Sequence, residues 1–232
     1  MIARAAALAA AAATAVTLGS GCTLLPENPG RTWYQLQDAS VAKRHSAASA
    51  TADAAPGEDV ALARRTPPDA ARALVVGPLQ TNALYGGTGI VYGRDPGIRS
   101  TYQYAVWTEA PARRLIELID ARLNARDPVL RRFATVTTES SGVKADWLLG
   151  VRVLEFYHDT TGDPDRAVVE VDAELVDWRS KSLLDRRRFR VERPLSTEDV
   201  DGAVAALGTA TSTLLDRLTA WLDAIAARAG PR

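Results

Sequence analysis

The stretch Val168-Val169-Glu170-Val171-Asp172-Ala173-Glu174-Leu175 alternates apolar and acidic side chains, and Arg186-Arg187-Arg188-Phe189-Arg190-Val191 answers it with basic ones. Successive side chains of a strand point to opposite faces. Val169, Val171, Ala173 and Leu175 therefore share one face, and Glu170, Asp172 and Glu174 the other. Folding the chain back at Ser180 sets Glu174 opposite Arg186, Asp172 opposite Arg188 and Glu170 opposite Arg190. The residue numbers of each pair have the same sum, as a single antiparallel register requires. That register also sets Val171 opposite Phe189 and Val169 opposite Val191 on the core side. Opposite-charge pairs across strands contribute about 0.2–1 kcal/mol each, less when exposed. Their larger role is specificity: a one-residue slip would put Phe189 in water and the arginines in the core. The arginine run reads as one rail of a solvated ladder rather than an anion site, giving the hairpin a neutral, striped outer face.

Working outward, Asp146 to Tyr157 reads as a central strand, with Trp147, Leu149, Val151 and Val153 on one face and Leu148, Leu154 and Phe156 on the other. Phe133 to Thr138 suits a strand, as does Leu74-Val75-Val76-Gly77-Pro78-Leu79. Ile90-Val91-Tyr92 and Thr101 to Trp107 flank the turn signal Gly93-Arg94-Asp95-Pro96-Gly97 and form a second hairpin. Between the first and second strand segments, Tyr85-Gly86-Gly87-Thr88-Gly89 reads as a mobile connection, since no Lys-Ser/Thr follows to make a phosphate loop. A helix starts near Thr108 or Ala110 with Pro111 in its first turn, places Leu115, Leu118, Ile119 and Arg122/Leu123 on one face, and ends at Pro128. A long helix runs from about Ser196 to Arg228, opened by the capping-box pattern Ser196-Thr197-Glu198-Asp199. The fold class expected is α+β: a mixed, mainly antiparallel sheet packed by two helices, the second long and C-terminal. Tyr102, Tyr104, Trp107 and Trp221 are the candidate partner surface, with plain core as the competing reading.

The N-terminal part has a different character. Arg4 precedes an apolar run from Ala5 to Val16, then small residues, then Cys22, the only cysteine of the chain. This is the layout of a signal peptide over residues 1–21. A lone thiol cannot form an internal disulfide, and at this place it resembles the lipid acceptor of bacterial lipoproteins. Such signals usually carry Leu, Val or Ile three residues before the cysteine, where this chain has Gly19. The alternative is an ordinary cleaved leader with an incidental cysteine. Thr23, not Asp, follows the cysteine, which in lipoproteins resembles the default sorting to the outer membrane. Residues 22–32 are then a lipidated tether and 33–36, Trp33-Tyr34-Gln35-Leu36, a short first strand. Residues 37–72, rich in Ala, Ser, Asp, Arg and Pro without apolar periodicity, read as a low-complexity linker ahead of a domain over 73–229.

Composition narrows the function. Lys plus Arg (28) equals Asp plus Glu (28) in 232 residues, so no bulk charge draws the chain to nucleic acid. No apolar run after Cys22 is long enough to span a bilayer, so membrane attachment would come through the lipid. Of the two histidines, His45 lies in the linker and His158 opens an Asp-rich loop with Asp159, Asp163 and Asp165. A hairpin loop explains those aspartates better than a calcium site, because the ligand alternation of a calcium loop is missing. No G-x-S-x-G elbow is present. The expectation is no enzyme, no metal and no cofactor.

Several segments carry a family resemblance: Trp33-Tyr34-Gln35-Leu36, Leu74 to Leu79, Ile90-Val91-Tyr92, Tyr104-Ala105-Val106-Trp107-Thr108-Glu109-Ala110-Pro111, the last strands with Phe189, and the long final helix. In that order the chain resembles the ABC-type transport auxiliary lipoproteins, which include the paraquat-inducible protein C group. The resemblance implies an outer-membrane lipoprotein facing the periplasm and lacking catalytic residues. It further implies partners: an MCE-domain periplasmic protein with an ABC permease and ATPase, moving lipids or other hydrophobic molecules between membranes. A homo-oligomer is compatible with it. The competing functions are an outer-membrane lipoprotein that binds one small hydrophobic ligand and a general envelope assembly factor.

Overall fold

A computed structural model describes residues 30–40, 72–125 and 133–229. The leader, Cys22, most of the tether and residues 41–71 of the expected linker lie outside them. In chain order the elements are β1 (Thr32–Tyr34), β2 (Arg72–Pro78), β3 (Gly89–Asp95), β4 (Ile98–Trp107), α1 (Pro111–Asn124), β5 (Phe133–Thr138), β6 (Trp147–Asp159), β7 (Arg166–Asp177), β8 (Ser182–Pro194) and α2 (Val200–Arg228).

The described strands form one eight-stranded sheet with β6 at its centre. Along one edge β6 pairs antiparallel with β7 over its whole length, and β8 pairs antiparallel with β7. Along its other edge β6 has two successive parallel neighbours, first β2 and then β3. β5 lies beyond β2, and β4 then β1 lie beyond β3. Parallel and antiparallel pairings are mixed, with the longest ladders antiparallel. Both helices pack against β6 and against each other, α1 reaching β2 and β5, and α2 reaching β7 and β8. The fold is therefore the α+β arrangement expected, with the core between the helices and the sheet face carrying Trp147, Leu149, Val151, Val153, Val171 and Phe189.

The register read from the charges is the observed one. Glu174 pairs with Arg186, Asp172 with Arg188 and Glu170 with Arg190; Val171 faces Phe189 and Val169 faces Val191. It slips by one residue only near the turn, where Val176 pairs with Leu183. There Asp177 Oδ1 accepts the backbone N–H of Arg179 and Ser180, both at 2.9 Å, and Lys181 takes a left-handed φ of 56°.

Strand β6 departs from simple alternation. Val153 pairs with Val171 but Glu155 pairs with Glu170, so Leu154 is an extra residue in a bulge. A bulge returns the following side chains to the face they would otherwise leave. Phe156 consequently joins the helix-covered face, where it meets Trp107 edge-on at 5.9 Å, instead of standing opposite Val153 as alternation predicts. The bulge sits where β6 changes neighbours from β2 to β3. In that gap Thr81 Oγ1 accepts the Val153 N–H at 3.2 Å, doing for one backbone group what a strand would do. The connection from residue 79 to 88 is thereby held against β6, and Tyr85 is buried, its hydroxyl donating to Glu155 Oε2 at 2.5 Å. It is a fastened segment, not the mobile one its glycines suggested.

Helix boundaries moved inward. α1 starts with Pro111 at its first position and stops at Asn124. α2 is capped by Asp199, whose side chain accepts from the Gly202 N–H at 2.8 Å, rather than by Ser196. Its 29 residues extend about 44 Å at the usual rise of about 1.5 Å per residue.

Candidate functional site

The charge ladder is built on β7 and β8. Asp172 is buried and accepts Arg186 Nη2 at 2.8 Å, Arg188 Nε at 2.8 Å and Arg188 Nη2 at 3.2 Å. Arg190 Nη1 donates to Glu170 at 2.6 Å, and Arg186 Nε lies 3.4 Å from Glu174. The ladder is thus not a uniformly solvated surface. The arginine side chains stay about half exposed while the guanidinium groups of Arg186 and Arg188 close over the buried central carboxylate. Hydrogen bonds from Arg188, opposed by burial and reinforced by Arg186, hold the Asp172 carboxyl down at about 2.

A second ionic centre was invisible in the sequence. Asp38, assigned above to the linker, is buried. Arg122 of α1 donates to both its oxygens, Nε to Oδ2 at 2.7 Å and Nη2 to Oδ1 at 2.6 Å. The same guanidinium reaches Ser40 Oγ at 2.6 Å and forms an ion pair with Asp216 of α2, while Ser212 Oγ donates to Asp38 at 2.8 Å. Burial pushes the Asp38 carboxyl up, but the hydrogen bonds of Arg122, Ser212 and Ser40 with the Arg122 charge outweigh it and leave it lowered. Residues 37–40 therefore belong to the folded unit and not to a linker. Leu36 is buried beside them, and Tyr34 Oη donates to Asp201 at 2.6 Å. One short N-terminal segment is fastened to both helices.

His158 occupies a third centre. The β6 bulge turns this buried imidazole inward, between Tyr102 Oη, 2.7 Å from Nδ1, and Asp165 Oδ2, 2.8 Å from Nε2. Burial, with Asp165 and Tyr92 beside it, pushes the Tyr102 hydroxyl up. The chain of bonds opens on a polar cleft of about 650 Å³ that includes Tyr92, Arg94, Gln103 and Glu198. Asp165 is committed to His158, and Asp159 accepts from Thr161, so these carboxylates serve the loop.

Of the four aromatic residues assigned to a partner surface, two are core. Trp107 is buried against Phe156, and Trp221 is buried edge-on to Phe189 at 5.8 Å with Nε1 donating to Asp185 at 2.9 Å. Tyr102 is engaged by His158. Tyr104, 44% exposed, and Trp33, 61% exposed, are the aromatic surface at this edge of the sheet. Both lie on the paired strands β1 and β4. A groove of about 520 Å³, mostly apolar, lies between α1 and the end of β2, floored by Val76, Leu79 and Ile116 and edged by Arg113 and Glu139.

The family description "ABC-type transport auxiliary lipoprotein component" matches residues 57–219, well over half of the chain. This chain belongs to the ABC-type transport auxiliary lipoprotein family. The match takes in every strand from β2 to β8 and most of α2, and it leaves β1 and Asp38 outside. Among curated proteins none matches. Among solved structures, the chain is similar to protein XCC0632 from Xanthomonas campestris, with 22% identity and a TM-score of 0.61 over 70% of this chain and 92% of that one. A second, an uncharacterized protein, shares 16% identity and a TM-score of 0.57 over 83% of this chain and 99% of that one. At these identities the likeness is one of fold.

Proposed function

We propose that this protein is a non-catalytic, lipid-anchored auxiliary subunit of an ABC-type transport system. Cys22 carries the lipid, and the anchored unit faces the periplasm from the outer membrane. It docks there on an MCE-domain channel that a permease and ATPase supply with lipids or other hydrophobic molecules. Membership of the transport auxiliary lipoprotein family carries this reading. The exposed Trp33, close behind Cys22 in the chain, suits a segment held near a bilayer surface, where amphipathic aromatic rings are favoured. The internal satisfaction of Tyr102, His158 and Asp165 by one another supports a structural role for the one histidine in the domain. Affinity capture of the full chain from detergent-solubilised native membranes tests the reading. Recovery of an MCE-domain protein with a permease and an ATPase is expected, and their absence from the captured material would contradict it.

The apolar groove beside α1 favours a second reading, a carrier of one small hydrophobic ligand. Native mass spectrometry distinguishes it: a carrier retains an additional, non-covalently bound lipid on the isolated chain, whereas a docking subunit carries only the acyl groups fixed to Cys22.

A further inference from the structure

β8 is an edge strand: among the described residues its only strand partner is β7. An open edge presents unpaired backbone N–H and C=O groups and can take up another strand. Arg217 Nη1 of α2 donates to the Arg190 carbonyl at 3.1 Å, which shows that this carbonyl points away from β7. In an antiparallel strand the outward groups recur every second residue, so those of Arg188 and Arg186 face outward too. Beside this edge, between β8 and α2, runs a groove of about 480 Å³. Its floor is Phe189 and Trp221, and its walls are Arg187, Arg217, Ala220 and Ala224.

The charge of this groove is unbalanced. Arg186, Arg188 and Arg190 are matched by Asp172, Glu170 and Glu174 on the other face. Arg187, over the Phe189 ring at 5.5 Å, and Arg217 have no carboxylate within ion-pair distance among the described residues. Two guanidinium groups without an ion-pair partner among the described residues thus flank a floor of largely buried rings, next to an edge that no described strand covers; an incoming strand would displace the side chains that now take the Arg190 carbonyl, the Glu192 carbonyl and the Arg186 N–H. A second copy fits badly, because antiparallel pairing of β8 with itself would set arginines of the two copies side by side, and opposed like charges destabilise.

We propose that the β8 edge and its groove bind an extended acidic segment of a partner protein by strand addition. The backbone of the segment continues the sheet, its carboxylates meet Arg187 and Arg217, and its small apolar side chains lie against Phe189 and Trp221. The three requirements are separable: an open backbone, negative charge and alternation. The site is independent of the lipid at Cys22, so it stands or falls apart from the anchoring proposed above.

The test uses the full chain and a fluorescent octapeptide of alternating Glu and Val, with anisotropy as the readout. Binding that weakens as salt rises is expected, with the Lys-Val counterpart not binding. N-methylation of alternate peptide amides should abolish binding, because it removes the donors that continue the sheet. The variant R187E/R217E, checked for an unchanged melting curve, should weaken the Glu-Val peptide at least about tenfold. If it does not unfold and binds the peptide as tightly as the parent, the proposal is wrong. Equal binding of the acidic and basic peptides, or indifference to N-methylation, would also overturn it. Concentration-dependent self-association that R187E/R217E abolishes would overturn it in favour of a second copy.

Discussion

Arg122 ties three separate segments of the fold together. Its guanidinium holds Asp38 and Ser40 of the N-terminal segment and Asp216 of α2 at once. Removing one partner of a buried pair leaves the other charge uncompensated, at a cost of about 3–5 kcal/mol. Arg122→Ala should therefore lower stability by about that amount in urea unfolding, while Asp216→Asn, at an exposed carboxylate, should cost under about 1 kcal/mol. Equal effects would contradict the assignment of Asp38 as the buried partner. Asp172 gives a pH prediction. Its folded value of about 2 lies below the ordinary 3.8. A carboxyl lowered on folding stabilises above its unfolded value, and that stability is lost as pH falls through the folded value. Stability should therefore drop between about pH 4 and pH 2, by about 2 kcal/mol from this group. Asp172→Asn should flatten that part of the curve of urea midpoint against pH. Asp38, also lowered, contributes in the same direction.

At the scale of elements, the β7–β8 hairpin is decided by which face each side chain takes. Phe189, buried against Trp221, should cost about 3–5 kcal/mol as Phe189→Ala. Its neighbour Arg190, about half exposed, should cost under about 1 kcal/mol as Arg190→Ala. A guanidinium chloride series that ranked the two alike would refute the face assignment. This hairpin was legible in the sequence because its pattern is local: charge and apolarity alternate on both strands, and one register satisfies both. Strand β6 was legible as central, and in its faces as far as Val153, but not beyond, because the bulge at Leu154 answers a change of neighbour from β2 to β3, which lies far away in the chain. Asp38 was lost in a polar, alanine-rich stretch, since its partners Arg122 and Ser212 are remote in sequence. The Tyr102–His158–Asp165 chain was missed for the same reason: it depends on the bulge that turns His158 inward. A buried-looking histidine following a strand, with an aspartate seven residues on, was the available signal. Trp107 and Trp221 were readable as large apolar residues, and burial depended on which helix or strand covered them.

At the scale of the whole molecule, sheet, helices and N-terminal segment form a unit in which the buried Asp38, Arg122, His158 and Asp172 find partners within the fold, while Thr211 Oγ1 is buried without one. None of the described helices is long and apolar enough to cross a membrane. The family supplies the word lipoprotein, and the chain supplies a single cysteine behind a leader-like run. Where this protein works thus turns on the chemistry at Cys22. Substituting Cys22→Ser should move the protein from the membrane pellet to the soluble envelope fraction, read by fractionation, without changing the melting temperature of the domain. The most direct measurement is the intact mass of the protein extracted from native membranes. A chain beginning at Cys22 and carrying the added mass of several acyl groups is the predicted result. A bare polypeptide, beginning elsewhere or with an unmodified thiol, would contradict the account.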